Sequence, residues 1–251
     1  MNPFIAHMHE DIRIGRLVRR GATGSPRIDP GPAKAYPRME RLALPAPAAL
    51  ACGLCEALAG RRSSFGCPKE EPVSQTDLGT LLGHALGVRL DRMHRNYPSG
   101  GPCYPVETYL LIEKAEGVVP GAYHYHAPSH ALERLAELPA GMAPHALVRS
   151  TPYGLALPIL LIFTSIWERS STKYGDFAYE LALLEAGHMS ENVLLVASAM
   201  GLESRPLAGF ADRTIIEILD LDSAREQPIL AIALGKSGGA AMRTERAPAE
   251  E

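Results

Sequence analysis

The sequence predicts an α+β layer fold in one domain, preceded by an N-terminal arm. Its 251 residues suffice for one large domain. Strand and helix patterns alternate irregularly, and no Gly-rich phosphate loop of Walker or Rossmann spacing lies among them. The near-continuous apolar run 157–166 predicts a strand buried on both faces, and the proline-free stretch 175–205 predicts a long helix. Residues 1–45 contain turn and polyproline signals without periodicity, which assigns them to the arm.

The elements follow from local patterns. A proline in the first turn begins a predicted helix at 46, and a Ser74-x-x-Asp77 start box precedes leucines at helical spacing. Runs that alternate between apolar and polar residues, or that are rich in β-branched residues, predict the strands. Apolar residues that recur with a period of about 3.6 predict the other helices. The predicted helices cover 46–59, 74–88, 129–138, 176–202 and 211–221. The predicted strands cover 106–114, 122–126, 157–166 and 228–236.

Charge and hydropathy exclude several classes of protein. The net charge of −3 gives no general nucleic-acid signal, and no apolar run approaches the roughly 20 residues of a membrane span. The N-terminus has no apolar core of a secretory signal, so we expect a cytoplasmic protein. Basic residues exceed acidic ones in 1–45, whereas the remainder is acidic. This asymmetry favours docking of the arm on the body over capture of an acidic partner.

Cysteine and histidine spacing does not predict a metal site. Cys52 and Cys55 form a CxxC within the first predicted helix, where we expect small buried side chains. No second close cysteine pair accompanies them, and the pair does not follow a strand as redox motifs do. His124 and His126 alternate on one short strand without a third ligand at suitable spacing. We therefore expect no bound metal.

Three segments carry groups suited to chemistry. Arg61-Arg62-Ser63-Ser64 can bind a phosphate through guanidinium and hydroxyl donors, although a solvated arginine pair is the alternative. Pro98-Ser99-Gly100-Gly101 lets the backbone approach a flat ligand, or forms an ordinary turn. Lys173-Tyr174-Gly175 offers two proton-transfer groups before the long helix, or a surface feature.

Taken together, these segments resemble one family. The order PSGG…YPVETYLL, PGAYHYH and GHMSEN before a Leu/Ala-rich helix is similar to flavin-dependent nitroreductase-fold proteins. Within them the chain resembles the SagB-type oxidoreductases, which include the azoline dehydrogenases of modified-peptide biosynthesis. The resemblance covers roughly residues 8 to 236 and also includes KAYPRMERLALPAP, the RRSS loop and PILAIALGK.

The resemblance implies a central mixed sheet flanked by helices, and an FMN bound at a homodimer interface to which both subunits contribute. It implies a basic arm at 1–45, an FMN-binding domain at 46–240 and a flexible tail at 241–251. Lys173 and Tyr174 match a catalytic pair associated with azoline oxidation. The positions that match FMN-binding residues are Arg61, Arg62, Ser63, Pro98, Ser99, Gly100, Gly101, Gly209 and Lys236.

The sequence departs from the family pattern at a few positions. Phe65 stands where the first loop often carries another arginine, and Glu191 replaces a common glutamine before Asn192. The segment after Gly235 matches poorly, although Arg243 could replace a missing phosphate contact.

The function implied by the resemblance is oxidation of thiazoline or oxazoline rings in a ribosomally made peptide to thiazole or oxazole. O2 would reoxidise the flavin, and a cyclodehydratase complex would be a partner. The alternatives are an NAD(P)H-dependent reductase of nitro compounds, quinones or flavin, and a flavin-free scaffold of a biosynthetic complex. We also expect a homodimer, because the helix is apolar nearly all round over Val193–Leu202.

Overall fold

A seven-stranded sheet forms the centre of the computed structural model, which describes residues 33–64, 72–91, 94–148 and 157–236. Its strands lie side by side in the order β1-β6-β5-β3-β7-β9-β8. They span β1 (Arg41–Ala43), β3 (Val106–Ile112), β5 (Gly121–His126), β6 (Ala131–Ala136), β7 (Ile159–Ile166), β8 (Leu202–Leu207) and β9 (Glu226–Lys236). A separate pair joins β2 (Val73–Ser74) to β4 (Ala115–Glu116).

The α+β class is confirmed, but the expected mixed sheet is corrected in its detail. Every neighbouring pair among the described strands of the large sheet is antiparallel. Parallel pairing occurs in the two residues of β2 and β4. Short connections such as the one from β5 to β6 return the chain beside the preceding strand, and that connection dictates antiparallel pairing.

Helices cover the faces of the sheet and form two apolar cores. They span α1 (Leu54–Gly60), α2 (Gln75–Leu86), α3 (Glu168–Tyr174), α4 (Phe177–Ala199) and α5 (Asp212–Leu219). Leucines of α2 and the inner face of α4 pack on one face of the sheet, and α5 packs on the other. The central strands β3 and β7 are therefore buried on both faces, as predicted for 157–166. None of the helices in the described ranges is long and apolar enough to cross a membrane.

The capping box predicts the start of α2 correctly. The Ser74 hydroxyl accepts a hydrogen bond from the Asp77 backbone N–H, while the Asp77 carboxylate accepts one from the Ser74 N–H. Both bonds satisfy N–H groups that a helix N-terminus leaves free. The helix then buries Leu78, Leu81 and Leu82 completely.

Two predicted helices are wrong. Residues 131–136 form strand β6, because pairing with β1 and β5 on either side outweighs the local helical pattern. The helix predicted for 46–59 begins only at Leu54, since the preceding segment lies extended along α2. There, a Cβ on Gly79 would stand 2.5 Å from the carbonyl oxygen of Pro45. Consequently Cys52 lies outside the helix and Cys55 is exposed, contrary to the expected burial.

The fold also contains elements that the sequence patterns did not predict. They are β1, β2, β4, the short helix α3 and strand β8. The second half of α4 is apolar because Val193, Leu194 and Ala197 pack into the core of this same chain. The basis given above for a homodimer therefore does not hold, and the exposed apolar residues lie elsewhere on α4.

A chain of charged groups, buried except at its Arg41 end, crosses four strands of the sheet. His124 on β5 is fully buried, with Nδ1 2.9 Å from Glu133 on β6 and Nε2 3.0 Å from Glu107 on β3. Arg169 of α3 contacts the other Glu107 oxygen at 2.5 Å, and Arg41 of β1 contacts Glu133 at 2.5 Å. Both ring nitrogens face carboxylate oxygens, so the ring donates from both and carries a positive charge. The chain thus alternates in sign from one end to the other.

Glu107 remains ionised although it is buried, because these partners stabilise its negative charge. Burial acts to raise the pKa of Glu107, but the hydrogen bond from His124 and the Arg169 guanidinium outweigh it and lower the pKa to about 2. The carboxylate therefore stabilises the fold above its ordinary pKa near 4.5, and this contribution is lost as the pH falls towards 2.

We predict that Glu107→Gln lowers the free energy of unfolding at pH 7 by about 3–5 kcal/mol, because it leaves two buried cations without their partner. Urea unfolding followed by circular dichroism between pH 7 and 3 measures this, with the exposed Glu217→Gln as control. The variant should also lose less stability than the wild type as the pH falls below 4.5. Equal stability of Glu107→Gln and wild type at pH 7 would contradict the assignment.

Candidate functional site

The structure brings two of the predicted segments together at Gly101. This glycine has a φ of +60°, which favours glycine, and its Cα faces the end of α3. A Cβ at this position would collide with the Tyr174 hydroxyl and stand 2.5 Å from Lys173 Nζ. Pro98–Gly101 and the pair Lys173–Tyr174 therefore form one surface, which we name the loop half-site.

The helix α3 holds Lys173 and Tyr174 in position. Arg169, one turn before Lys173, donates from Nη1 to Glu107 and, at 2.9 Å, to the Tyr104 carbonyl. The Lys173 ammonium lies 5.2 Å from the centroid of the Tyr174 ring, within cation–π range. Gly175 has a φ of +55°, which lets the chain turn from α3 into α4.

The loop rests on the first half of α4. Gly100 packs against Leu181, where an added Cβ would lie 3.0 Å from a methyl carbon. The Ser99 hydroxyl oxygen accepts a hydrogen bond from the Tyr104 N–H at 2.9 Å. The Cys103 thiol is fully buried and lies 3.4 Å from the Gly101 carbonyl oxygen. Burial raises the pKa of this thiol, although the charge of Lys173 opposes the rise.

Glu185 is a site residue that sequence reasoning missed. It follows Leu181 by one helical turn and is only 2% exposed, and neither carboxylate oxygen has a hydrogen-bond partner among the described residues. Burial raises its pKa to about 7, against the opposing influence of Ser99, the Val106 N–H and two arginines. The available signal was a single acidic residue within the otherwise apolar run LALLEAG.

The predicted basic loop lies at the other end of α4. Gly60 packs against Ser198, whose hydroxyl donates to the Ala57 carbonyl at 3.2 Å. The Ser64 N–H donates to the Ser204 carbonyl of β8 at 2.9 Å, which fixes the end of the loop. Arg62 and Ser63 are exposed, and Arg61 Nε lies 3.9 Å from Glu191.

Lys236 and Gly209 lie at opposite ends of β8. Lys236 pairs in register with Leu202 at the start of the strand, and its ammonium is 3.1 Å from Asp77. Burial acts to raise the pKa of Asp77, but hydrogen bonds from Ser74 and the ammonium of Lys236 together lower it. Gly209 is half-buried just beyond the end of β8. We name Arg61–Ser63 together with Lys236 the basic half-site.

The two half-sites are well separated within one chain. Leu181, which contacts the loop half-site, and Ser198, which contacts the basic loop, are 17 residues apart on α4. At 1.5 Å per residue, this is a rise of about 25 Å. Apolar side chains are exposed between and beside them, including Leu184 at 51% and Leu54 of α1 at 68%. Such a surface is typical of a protein–protein interface.

The described residues contain no group of three or more His, Cys, Asp or Glu side chains placed to hold a metal ion. His124 is instead bound by the two carboxylates described above. Phe65, Arg243 and the tail at 241–251 lie outside the described residues.

The amino-acid sequence is similar to those of known proteins. “Putative nitroreductase MJ1384” of Methanocaldococcus jannaschii is 30% identical over 165 residues, which cover 66% of this chain and 82% of that protein. The “Microcin B17-processing protein McbC” of Escherichia coli is 34% identical over 143 residues, covering 55% of this chain and 53% of McbC. The chain thus spans about half the length of McbC.

The fold itself also has solved counterparts. A chain of the E. coli microcin synthetase McbBCD complex, solved with truncated pro-MccB17 bound, superposes with a TM-score of 0.61 and 21% identity, covering 94% of each chain. The model of the Nitroreductase family matches residues 58–236, most of the described sheet and helices. The chain belongs to the nitroreductase family.

Proposed function

We propose that this protein is an FMN-dependent dehydrogenase that oxidises thiazoline or oxazoline rings in a ribosomally made peptide to the aromatic azoles. The observation that carries the proposal is the packing of Lys173 and Tyr174 on Gly101 of the loop half-site. The similarity to McbC, named as a microcin B17-processing protein, supports a peptide substrate. The fold shared with the McbBCD synthetase supports a partner complex, for which we propose a cyclodehydratase.

The residues present fit an FMN. Arg61, Arg62 and Ser63 supply the charged and hydroxyl donors that a phosphate requires, and Lys236 lies at the adjoining end of β8. Gly100 and Gly101 let Leu181 and the Lys173–Tyr174 pair pack against the loop, so that this pair would stand beside a flat ring bound there. When bound, FMN supplies a two-electron acceptor that takes a hydride from the substrate.

Residues of this chain would accept the proton that leaves the substrate and release it to solvent. Aromatisation removes one proton from the ring Cα and one hydride from the adjacent carbon, so a base must stand beside the hydride acceptor. Lys173 and Tyr174 are the two proton-transfer groups of the loop half-site, held by the Arg169 anchor of α3. We propose that one of them takes the Cα proton and releases it to solvent. O2 receives the two electrons and, with two protons, leaves as H2O2.

We further propose that the working form is a homodimer in which each FMN joins the basic half-site of one copy to the loop half-site of the other. A five-carbon ribityl chain places the phosphorus only about 8–9 Å from the ring, far less than the rise along α4 between the half-sites. Antiparallel contact of two α4 helices would bring unlike half-sites together and cover the exposed apolar side chains.

A second candidate is an NAD(P)H-dependent reductase of nitro compounds, quinones or flavin. The 30% identity with a protein named as a nitroreductase favours it. It needs no base on the substrate side, so it assigns no chemical role to the Lys173–Tyr174 pair. NAD(P)H consumption by the flavin-loaded protein, without azole formation on an azoline peptide, would select this candidate.

Lys173→Ala and Tyr174→Phe should each retain FMN and lose azole formation by about 10²–10⁴ in rate, the usual cost of removing a general base. Mass spectrometry detects each oxidised ring as a loss of about 2 Da, the mass of the hydrogens removed. The rate is normalised to flavin absorbance, so that loss of cofactor is not mistaken for loss of chemistry. Wild-type turnover per flavin in both variants would exclude the base assignment.

Arg62→Ala should weaken FMN binding roughly ten- to a hundredfold, because a charge-assisted bond to phosphate contributes about 1.5–3 kcal/mol. Arg61→Ala should have a smaller effect if one arginine alone faces the phosphate. Quenching of flavin fluorescence gives the dissociation constants, and the exposed Arg213→Ala on α5 is the control. Unchanged flavin retention in both variants at 61 and 62 would remove the phosphate assignment.

Gly101→Ala should abolish azole formation, whereas Gly141→Ala should keep it. Both glycines have positive φ, +60° and +75°, so both substitutions strain the backbone, at a cost of about 1 kcal/mol. A Cβ at Gly141 meets nothing within 4 Å, whereas at Gly101 it displaces Lys173 and Tyr174. Thermal unfolding and turnover per flavin are measured for both. Equal turnover in the two variants would show that the packing at Gly101 is not needed.

A further inference from the structure

Glu185 is a buried carboxyl group that neither the fold nor the proposed proton transfer requires. It lies on the same face of α4 as Leu181, beneath the loop that contains Gly100. Both of its oxygens lie in buried space without a hydrogen-bond partner among the described residues. Because such a group is costly to bury, its presence calls for an explanation.

The groups around Glu185 come from three elements. The loop before β3 contributes Arg95, Tyr97, Ser99 and Cys103, β3 contributes the Val106 N–H, and α3 contributes Arg169. Glu107 of β3 acts on the same Tyr97 hydroxyl as Glu185. The charge of Lys173 acts on the same Cys103 thiol. Burial, which favours the neutral acid, is opposed by Ser99, the Val106 N–H and the two arginines, and the result is a pKa of about 7. Both protonation states are therefore accessible near neutral pH.

Ser99 lies between this carboxyl group and the side of the loop that is proposed to contact FMN. Its oxygen already accepts the Tyr104 N–H at 2.9 Å, so the hydroxyl has one proton left to donate. One acceptor lies behind the loop, the carboxylate of Glu185. The serine hydroxyl is near enough to favour its charged form, although no hydrogen bond joins the two groups in the present geometry. The other acceptor would be a ligand on the open side. A single proton cannot serve both.

We propose that Glu185 is a positioning residue for Ser99, directing the serine hydroxyl to the flavin when the carboxyl is protonated and away from it when the carboxyl is ionised. This inference rests on the FMN binding proposed above and adds a proton to that binding step.

The sign of the pH dependence follows from linkage. A bound flavin favours protonated Glu185 and raises its pKa above the value of about 7 in the free protein. Above pH 7 the free protein loses this proton, and binding must take it up again. The dissociation constant of FMN should therefore rise about three- to tenfold per pH unit between 7 and 8.5.

The test measures FMN affinity by fluorescence quenching of the full chain from pH 6 to 8.5. Glu185→Gln, which imitates the neutral acid, should lose the rise above pH 7 and bind FMN more tightly than the wild type at pH 8.5. Ser99→Ala should bind more weakly at pH 6, and adding Glu185→Gln to it should change little, since the hydroxyl is the link. Glu217→Gln on the exposed face of α5 should behave as wild type.

The phosphate of FMN titrates near pH 6, as phosphate monoesters do, and contributes equally to all variants, so differences between them isolate Glu185. Should Glu185→Gln fail to fold, calorimetry of the wild type at pH 8 in two buffers of different ionisation enthalpy reports the protons taken up with FMN. Uptake of a substantial fraction of one proton supports the proposal, and zero uptake overturns it.

Two results would overturn this inference while leaving the proposed function intact. One is a wild-type slope that persists in Glu185→Gln, and the other is a full Glu185→Gln effect in the Ser99→Ala background. Absence of FMN binding at every pH would instead defeat both the proposed function and this inference.

Discussion

The ion pair between Arg169 and Glu107 connects the sheet to the loop half-site. Glu107 stands on the central strand β3, and the pair continues through His124 and Glu133 to Arg41 on the edge strand. Arg169 also binds the carbonyl of Tyr104, so the same side chain fixes the helix α3 and the loop before β3. Because Lys173 lies one turn beyond Arg169, the packing of the proposed base on Gly101 depends on this buried chain of charges.

The long helix α4 organises the rest of the site. Its first half supports the glycine loop through Leu181 and places Glu185 beneath Ser99, and its last turns support the basic loop through Ser198. One rigid helix thus sets the distance between the groups proposed for the phosphate and those proposed for proton transfer. Because this distance exceeds the reach of one FMN, the proposed site needs a second copy of the chain.

Local signals in the sequence were sufficient where one segment determines its own structure. The capping box of Ser74 and Asp77, the apolar strand 159–166 and the long helix needed only patterns within a few residues. Strand β6 was mistaken for a helix because its conformation depends on pairing with β1 and β5, which no local pattern records. The extended segment before α1 likewise depends on close packing of Pro45 against Gly79.

The segments of the candidate site could be predicted from the sequence, but the contacts between them could not. Arginine pairs, consecutive glycines and a Lys-Tyr pair can be recognised individually, and the family resemblance implies that they serve one proposed site. The contact of Gly101 with Lys173 joins residues 72 positions apart, and His124 lies between carboxylates of two different strands. Glu185 carries no local motif, and its significance comes only from burial without a partner.

Subunit complementation tests most directly the central claim that each site joins two copies of the chain. The Lys173→Ala chain retains an intact basic half-site, and the Arg62→Ala chain retains an intact loop half-site. Co-expressed in equal amounts, and assayed where Arg62→Ala alone binds little FMN, they should regain about a quarter of wild-type azole formation, since half the dimers are mixed and each holds one complete site. Activity no greater than the sum of the two variants measured separately would contradict the account.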